Sequence, residues 1–495
     1  MKKIISVLLI LVMLMGLMSA CGNSSPEKAG DTETKPQATS PEDKEETAVI
    51  GNFAVPEAGY DGSEVTVTFY HTMGQNLRDV LDAYIVEFNK LYPNIHIEHS
   101  QVGGYDDVRD QISTEITVGA QPNIAYCYPD HVAMYNLADA VVTLDELIKS
   151  TIEVARADGT TEVLGLTDEQ IADFIEGYYN EGKQFGDGLM YTLPLSKSTE
   201  VLYYNKTFFD EHGLTPPTTW DEMEALCKRI KELEPESTPL GYDSEGNWFI
   251  TMCEQQGSPY TSATGEHFLF DDERNYEFVK RFREWYKKGY VTTSELSGGY
   301  TSKLFTKGEN EKGKSYMSIG SSAGATKQRP TKDGNSYPFE VAITTIPQVD
   351  PANPKVISQG PSLCLFNKED PQEVLASWLF MKYLTTTVEF QAEFSMVSGY
   401  VPVIQSVSNH EIYKNEFLDK ADGGDYIAAL SAKRCLEQAD AYYTSPAFVG
   451  SSDARDQVGY LLQACLTQDD GGNIDALLKQ LFSTAVSECR YKAGG

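Results

Sequence analysis

Histidine is sparse, cysteine is never closely paired, and basic residues are far outnumbered. The seven histidines lie scattered, and the H-E-x-x-H spelling is missing, so the chain offers no metal-ligand set and calls for no cofactor. Eight cysteines occur without a C-x-x-C, which is neither a disulfide framework nor a zinc cluster. Cys435 with Cys465 is a candidate pair, and the remaining thiols past Cys21 read as buried. Beyond the N-terminal segment no run reaches the ~20 apolar residues needed to cross a bilayer. No repeat with a period of roughly 20–50 residues recurs, which excludes a solenoid. Lysine and arginine number 40 against 73 aspartates and glutamates, a net charge of −33. That balance excludes nucleic acid and an anionic membrane surface as partners and describes a solvated acidic exterior.

The start of the chain carries an address. Lys2 and Lys3 precede an apolar run from Ile4 to Met18, and small Ser19 and Ala20 follow. These are the three parts of a secretory signal over residues 1–20. Leu17-Met18-Ser19-Ala20-Cys21 resembles a bacterial lipobox, with Met18 where Leu, Val or Ile is usual. The resemblance implies lipidation of Cys21 and cleavage in front of it. Residues 21–62 are mostly Ser, Pro, Glu, Lys, Thr, Asp and Gly, with little to bury, and read as a disordered tether. Such a leash reaches roughly 35 Å on the random-coil relation. The expected location is the extracellular face of the membrane of a Gram-positive bacterium, where the lipid anchors the chain without spanning.

The remaining ~430 residues suit two lobes rather than one domain. Val65, Val67 and Phe69 alternate with polar neighbours as a strand, and Leu77, Val80, Leu81, Tyr84, Phe88 and Leu91 form one face of a helix. Ile95–Gln101 reads as a second strand, Tyr105-Asp106-Asp107 opens a second helix, and Asn123–Tyr128 is a third strand. Strand-helix alternation at these lengths predicts parallel βαβ units, which bind ligands at the carboxyl ends of their strands. The pattern continues with a strand at Glu200–Asn205, a helix at Lys206–His212 and a capping box at Thr219-Trp220-Asp221-Glu222. Strands at Ser315–Ile319 and Leu363–Phe366 and helices at Pro371–Thr385 and Val388–Phe394 complete an α/β chain.

Particular blocks carry a resemblance. Thr68-Phe69-Tyr70-His71-Thr72-Met73-Gly74 comes first. Leu193-Pro194-Leu195-Ser196-Lys197-Ser198-Thr199-Glu200-Val201-Leu202-Tyr203-Tyr204-Asn205-Lys206 is followed by Gly213-Leu214, Pro216-Pro217 and Thr219-Trp220. Ser315–Gly324, Gly360-Pro361-Ser362 and Ser398–Val403 come later. In this order they resemble the family 1 extracellular solute-binding proteins, the sugar and glycerol-phosphate receptors of bacterial ABC importers, over 63–405. The chain from Asn409 onward matches loosely. The resemblance implies a two-lobed periplasmic-binding-protein-like fold of type II with hinge crossings near Pro194–Ser198, Ser358–Ser362 and Gly399–Pro402. Lobe one is then 63–196 plus 360–400, and lobe two 197–359 plus 401–495. It further implies a monomeric receptor, not an enzyme, that closes on a carbohydrate and delivers it to an ABC importer permease. Glycerol 3-phosphate or a glycerophosphodiester is the alternative ligand. A glycosidase or a peptide-binding surface lipoprotein shares parts of the composition, but neither accounts for the ordered blocks.

A sugar site needs hydroxyls, carboxylate acceptors and rings to stack on. Tyr105 follows the second strand, where the resembling receptors place a contacting tyrosine; a packing role is the alternative. Asp130 follows the third strand, as a hydroxyl acceptor or a helix N-cap. Ser198 belongs to the first crossing and faces the cleft in the family, or satisfies hinge backbone. Trp248 is a stacking platform or a core ring. Ser322, beside Ser321, lies in a glycine-flanked turn after a strand. Gly360 lets backbone approach a ligand, and Tyr400 sits in the third crossing. A phosphate receptor calls for an Arg clamp, and that position falls on Phe448, with Arg455 out of register, which favours a neutral sugar. One outcome follows from the lipobox. Cys21→Ser should move the protein from the membrane fraction to the soluble fraction with ligand affinity unchanged, and membrane retention of the mature form would refute lipidation.

Overall fold

Val65–His71 buries one edge of its alternation, Val65, Val67 and Phe69, and lies at the heart of a five-stranded sheet. A computed structural model describes residues 49–308, 311–423 and 426–494. The signal segment, Cys21 and most of the expected tether lie outside the described residues. In the first sheet the order is Ile95–Gln101, Val65–His71, Ile124–Cys127, Ser362–Leu365 and Leu193–Pro194. The first three run parallel, as the βαβ pattern requires. Ser362–Leu365 is antiparallel to both its neighbours. Helix Gln75–Leu91 covers this sheet through Val80, Leu81 and Phe88. Helix Pro371–Thr386 is buried on most sides, and its Trp378 indole donates to the Leu164 carbonyl at 2.8 Å.

A seven-stranded sheet builds the second lobe. Its order is Tyr442–Tyr443, Val356–Gln359, Ser198–Asn205, Met317–Ser321, Leu240–Tyr242 and Val291–Thr293, with Val341–Thr344 also paired to Ser198–Asn205. Helix Trp220–Leu233 starts at the capping box spelled in the sequence: Thr219 accepts from the Glu222 N–H, and Glu222 reaches back to the Thr219 N–H. The two sheets have separate apolar cores, so the fold is a two-lobed α/β architecture. Among the described residues no helix is long and apolar enough to cross a membrane.

Three expectations need correction. Residues 49–62 are not free tether: Phe53 and Tyr60 are buried in the first core, and Asn52 exchanges hydrogen bonds with Thr143 and Val141. The signal for order there was the apolar content of this stretch, Val49, Ile50, Phe53, Val55 and Tyr60, after a polar one. The chain also does not leave lobe one at Val401. Val401 touches the cluster of Val201 and Tyr203 at the crossing, but Val403, Ile404, Val407, Tyr413 and Phe417 pack into the first core, and the chain returns to that cluster with Ile427 and Cys435. Finally, Cys435 and Cys465 are free and buried in different clusters, and the other five described thiols are likewise free and buried.

Two chain passages between the sheets lie side by side. Leu195-Ser196-Lys197 leads from one sheet to the other, and Gly360-Pro361 returns. The Leu195 N–H donates to the Pro361 carbonyl at 3.2 Å, and Gln359 pairs with Ser198. Val401 and Lys197 exchange backbone hydrogen bonds of 2.6 and 3.1 Å, adding a third strand to the crossing. Gly360 has φ +98°, and a Cβ there would stand 2.5 Å from the Ser196 carbonyl oxygen. Only glycine meets both demands. Gly360→Ala should therefore lower stability by at least about 1–3 kcal/mol, read as an earlier urea midpoint. An unchanged midpoint would show that the crossing can relax.

Candidate functional site

A cavity of about 410 Å³ opens between the two sheets, within the range of small-molecule sites. Strand direction explains what lines it. In lobe one, Tyr105 starts the helix after Ile95–Gln101, and Pro129-Asp130 start the helix after Ile124–Cys127. In lobe two, Asp243, Ser244 and Asn247 follow Leu240–Tyr242, and Ser321 ends Met317–Ser321. Ser198–Asn205 runs antiparallel to Met317–Ser321, so it presents its amino end, with Glu200, to the same place. Both lobes thus turn the carboxyl ends of their parallel strands to one cavity. Helix Ser451–Thr467 adds Arg455 and Asp456. Hydrogen bonds join the walls. The Ser452 hydroxyl donates to the Asp130 carboxylate, and the Ala447 N–H donates to the Gln184 carbonyl at 2.9 Å.

The polar groups of the wall are held rather than loose. Glu200 accepts from the Tyr242 hydroxyl at 2.5 Å and from the Asn247 amide at 2.9 Å. The Asn247 oxygen in turn accepts from Arg455. Burial pushes the Glu200 carboxyl up to about 7, against the downward pull of Tyr242 and Asn247. Burial likewise raises Glu181, although the Lys197 ammonium lies 2.6 Å away. Asp243 is raised by burial while accepting from the Thr301 N–H and hydroxyl, both at 2.7 Å. Arg109 is bound by Asp106 at 2.9 Å and Asp110 at 2.8 Å. Tyr105 and Tyr128 pack ring on ring, with centroids 4.6 Å apart.

Of the residues expected at the site, Tyr105 and Asp130 line the cavity. Tyr400 does not line the cavity; it lies behind it, close to Tyr105. Trp248 is a correction. It is 0 % exposed and lies in the second core, stacked on Tyr242 at 4.9 Å and 14° and packed against Phe282 at 4.0 Å. Its neighbour Asn247 faces the cavity instead. Ser322 is also buried, and its hydroxyl accepts from the Thr199 N–H at 3.1 Å; Ser321 is the one that lines. Ser198 and Gly360 belong to the crossing and do not line the cavity. Phe448 stacks on His267 at 4.5 Å and 9° in the second core. Arg455, expected out of register, lines the cavity, so the argument against a phosphate group from position 448 fails. Sequence reasoning missed Glu181, Glu200 and Asn247, although Glu200 lies inside the longest resembling block and Asn247 adjoins Trp248.

Two strings spell enzyme motifs without their structure. Gly320-Ser321-Ser322-Ala323-Gly324 has G-x-S-x-G spacing, but its central hydroxyl is buried, whereas a nucleophile elbow exposes it. Gly308–Ser315 has the spelling of a phosphate-binding loop. Such a loop follows a strand and opens a helix, whereas here helix Ser302–Phe305 precedes and strand Met317–Ser321 follows. Lys314 donates to the Phe305 and Lys307 carbonyls. Among the described residues no His, Cys, Asp and Glu grouping can hold a metal ion.

Comparison with known proteins agrees with this geometry. The sn-glycerol-3-phosphate-binding periplasmic protein UgpB of Salmonella typhimurium is 24% identical over 377 residues, covering 73% of this chain and 79% of that protein. The cyclic alpha-maltosyl-1,6-maltose binding protein from Arthrobacter globiformis superposes with a TM-score of 0.65 at 18% identity, over 88% of this chain and 100% of that one. UgpB from Mycobacterium tuberculosis, solved in complex with glycerophosphocholine, gives a TM-score of 0.65 at 15% identity, over 86% and 98%. The family model described as bacterial extracellular solute-binding protein matches residues 83–418. Two lobes, a shared cavity at their strand ends and this match together place the chain among the bacterial extracellular solute-binding proteins.

Proposed function

We propose that the protein is an extracellular receptor that captures a neutral carbohydrate between its lobes for import by an ABC transporter. The observation that carries this reading is the make-up of the cavity. Tyr105, Tyr128, Tyr260 and Tyr300 supply rings, and Asp106, Asp130, Glu181, Glu200, Asp243 and Asp456 supply carboxyl groups, against two guanidiniums, Arg109 and Arg455. Carboxylates accept from sugar hydroxyls, and tyrosine rings offer apolar faces with a polar tip. A phosphate monoester would meet an excess of like charge, and an unpaired buried charge is expensive. The curated relative UgpB is named for sn-glycerol 3-phosphate and the Arthrobacter structure for a cyclic maltosyl sugar, so both ligand classes occur among similar proteins. In this reading no bond is made or broken in the cavity, Cys21 carries the lipid anchor, and the lobes hinge at the crossings through 195–198, 360–361 and 401. The second reading, a glycerophosphodiester, draws on Arg455 in the wall.

Titration calorimetry on residues 49–495 separates the two. The carbohydrate reading expects binding of at least one neutral saccharide, weak or no binding of glycerol 3-phosphate, and loss of less than about tenfold (~1.4 kcal/mol) in saccharide affinity for Arg455→Ala. Tight binding of glycerophosphocholine or glycerol 3-phosphate with no saccharide response overturns it. Glu200 gives a second outcome, for the unliganded protein. Its carboxyl moves from an ordinary 4.5 up to about 7 on folding. The folded chain therefore holds that proton more tightly, and the contribution to stability, present below pH 4.5, is lost as the pH rises towards 7. Glu200→Gln should remove this slope, gaining up to about 3 kcal/mol relative to the wild type between about pH 5 and pH 8. Parallel denaturation curves for both proteins at the two pH values would contradict it.

A further inference from the structure

Two guanidiniums face the main cavity, and they are held differently. Arg109 is bound by Asp106 and Asp110. Among the described residues Arg455 meets no carboxylate at ion-pair distance, and its side chain donates to the Asn247 side-chain oxygen. A carboxyl group is nevertheless close by. Burial holds the Glu200 carboxyl high, and Arg455 is near enough to pull against that. Two buried groups of opposite charge ordinarily pair, and here they do not. What stands between them is an amide, whose nitrogen donates to Glu200 at 2.9 Å while its oxygen accepts from Arg455.

The amide has little freedom. Asn247 is buried, and its N–H donates to the hydroxyl of Ser244, the cap of helix Glu245–Gln256, at 3.2 Å. Gly246 brings that helix against Ser451–Thr467, which carries Arg455. A Cβ on Gly246 would stand 3.0 Å from the Arg455 carbonyl oxygen. The second Glu200 oxygen accepts from the Tyr242 hydroxyl, and the Gln438 amide donates to the Glu200 carbonyl at 3.5 Å. Asp243, next to Tyr242, and Tyr443 are the other titratable groups that face Glu200 among the described residues. An asparagine amide carries donors and an acceptor on one rigid plane, so it answers a carboxyl on one side and a guanidinium on the other.

We propose that Asn247 is a positioning residue for ligand capture: it keeps Arg455 and Glu200 from closing on each other, so that guanidinium N–H groups and carboxyl oxygens stay available to a ligand in the cavity. The proposal rests on the receptor reading above, in which the ligand is captured in this cavity, and holds for either ligand class. A direct pair would satisfy both groups with strong charge-assisted bonds. A ligand would then have to break that pair and strand two buried charges. The amide oxygen takes one of the five guanidinium donors and leaves the others. The wall thus offers donors beside acceptors, which matches a group that presents both, as neighbouring hydroxyls of a saccharide ring do.

The first readout needs no ligand. Urea midpoints are compared for the wild type and Asn247→Ala, each with and without Glu200→Gln. Between about pH 5 and about pH 8 Glu200→Gln should gain on the wild type, because the buried carboxyl must ionise there. In the Asn247→Ala background Arg455 closes on Glu200 and holds it charged, so that gain should vanish, and adding Arg455→Ala should bring it back. A gain that persists in Asn247→Ala on a uniformly lowered curve marks a merely structural residue and overturns the proposal, as does a wild type without the gain. Should Asn247→Ala fail to fold, Asn247→Ser, too short to span the gap, takes its place. The second readout is calorimetry with maltose, cellobiose and glycerophosphocholine. Each probe that binds the wild type should lose at least about tenfold in affinity for Asn247→Ala, and an unchanged affinity overturns the proposal. Binding of glycerophosphocholine and of neither sugar overturns the carbohydrate reading without touching this proposal, and with no probe bound the urea midpoints alone decide it.

Discussion

The Lys197 ammonium, fully withdrawn from water, sits where the chain passes between the sheets and has three donors to place. It places them on the Glu181 carboxylate at 2.6 Å, the Gly360 carbonyl at 3.1 Å and the Ser362 hydroxyl at 3.0 Å, which uses its full donor set. A buried ion pair contributes little net stability, because desolvation offsets the attraction, but a misplaced partner leaves a charge stranded in apolar surroundings. The pair therefore fixes geometry. Lys197 lies in one passage, Gly360 in the second, and Val401, bonded to the Lys197 backbone on both sides, in the third. Glu181 also lines the cavity. The group that answers the ammonium thus belongs at once to the crossing and to the wall that meets the ligand, and whatever changes the charge or position of Glu181 is felt by the backbone about which the lobes turn.

Elements were far more legible than the site, for a physical reason. Periodicity reports which side of an element is apolar, and it located Val65–His71, Ile95–Gln101, Lys206–His212 and Pro371–Thr386 to within a residue or so. A site depends on which single position of a polar or mixed segment turns inward. Asn247 and Trp248 are neighbours on a helix, about 100° apart. The tryptophan, expected as a sugar platform, turns into the core, while Asn247 lines the cavity. The same one-residue step separates Ser321 from Ser322. Trp248 instead stacks on Tyr242, whose hydroxyl donates to Glu200, so its influence on the cavity passes through a neighbour.

Arg455 shows a different limit. Phe448 and Arg455 are seven residues apart in sequence, and a linear comparison weighs only the position that falls in register. Folding brings in the helix that starts at Ser451, which carries Arg455 to the cavity while Phe448 turns into the core against His267. Glu181 and Glu200 escaped for yet another reason: Glu181 between Asn180 and Gly182, and Glu200 after Thr199, read as surface carboxylates in a sequence with 73 acidic residues, and only burial distinguishes the few that matter.

The grip of Asn52 decides how mechanical load would enter the molecule. Its amide and backbone make four hydrogen bonds to Thr143 and Val141, and Phe53 and Tyr60 behind it are set into the first core. A pull arriving along the chain ahead of Val49 is therefore delivered to lobe one alone and bypasses the crossings. Load entering there bears on lobe one, and the passages through Lys197, Gly360 and Val401 lie outside its path.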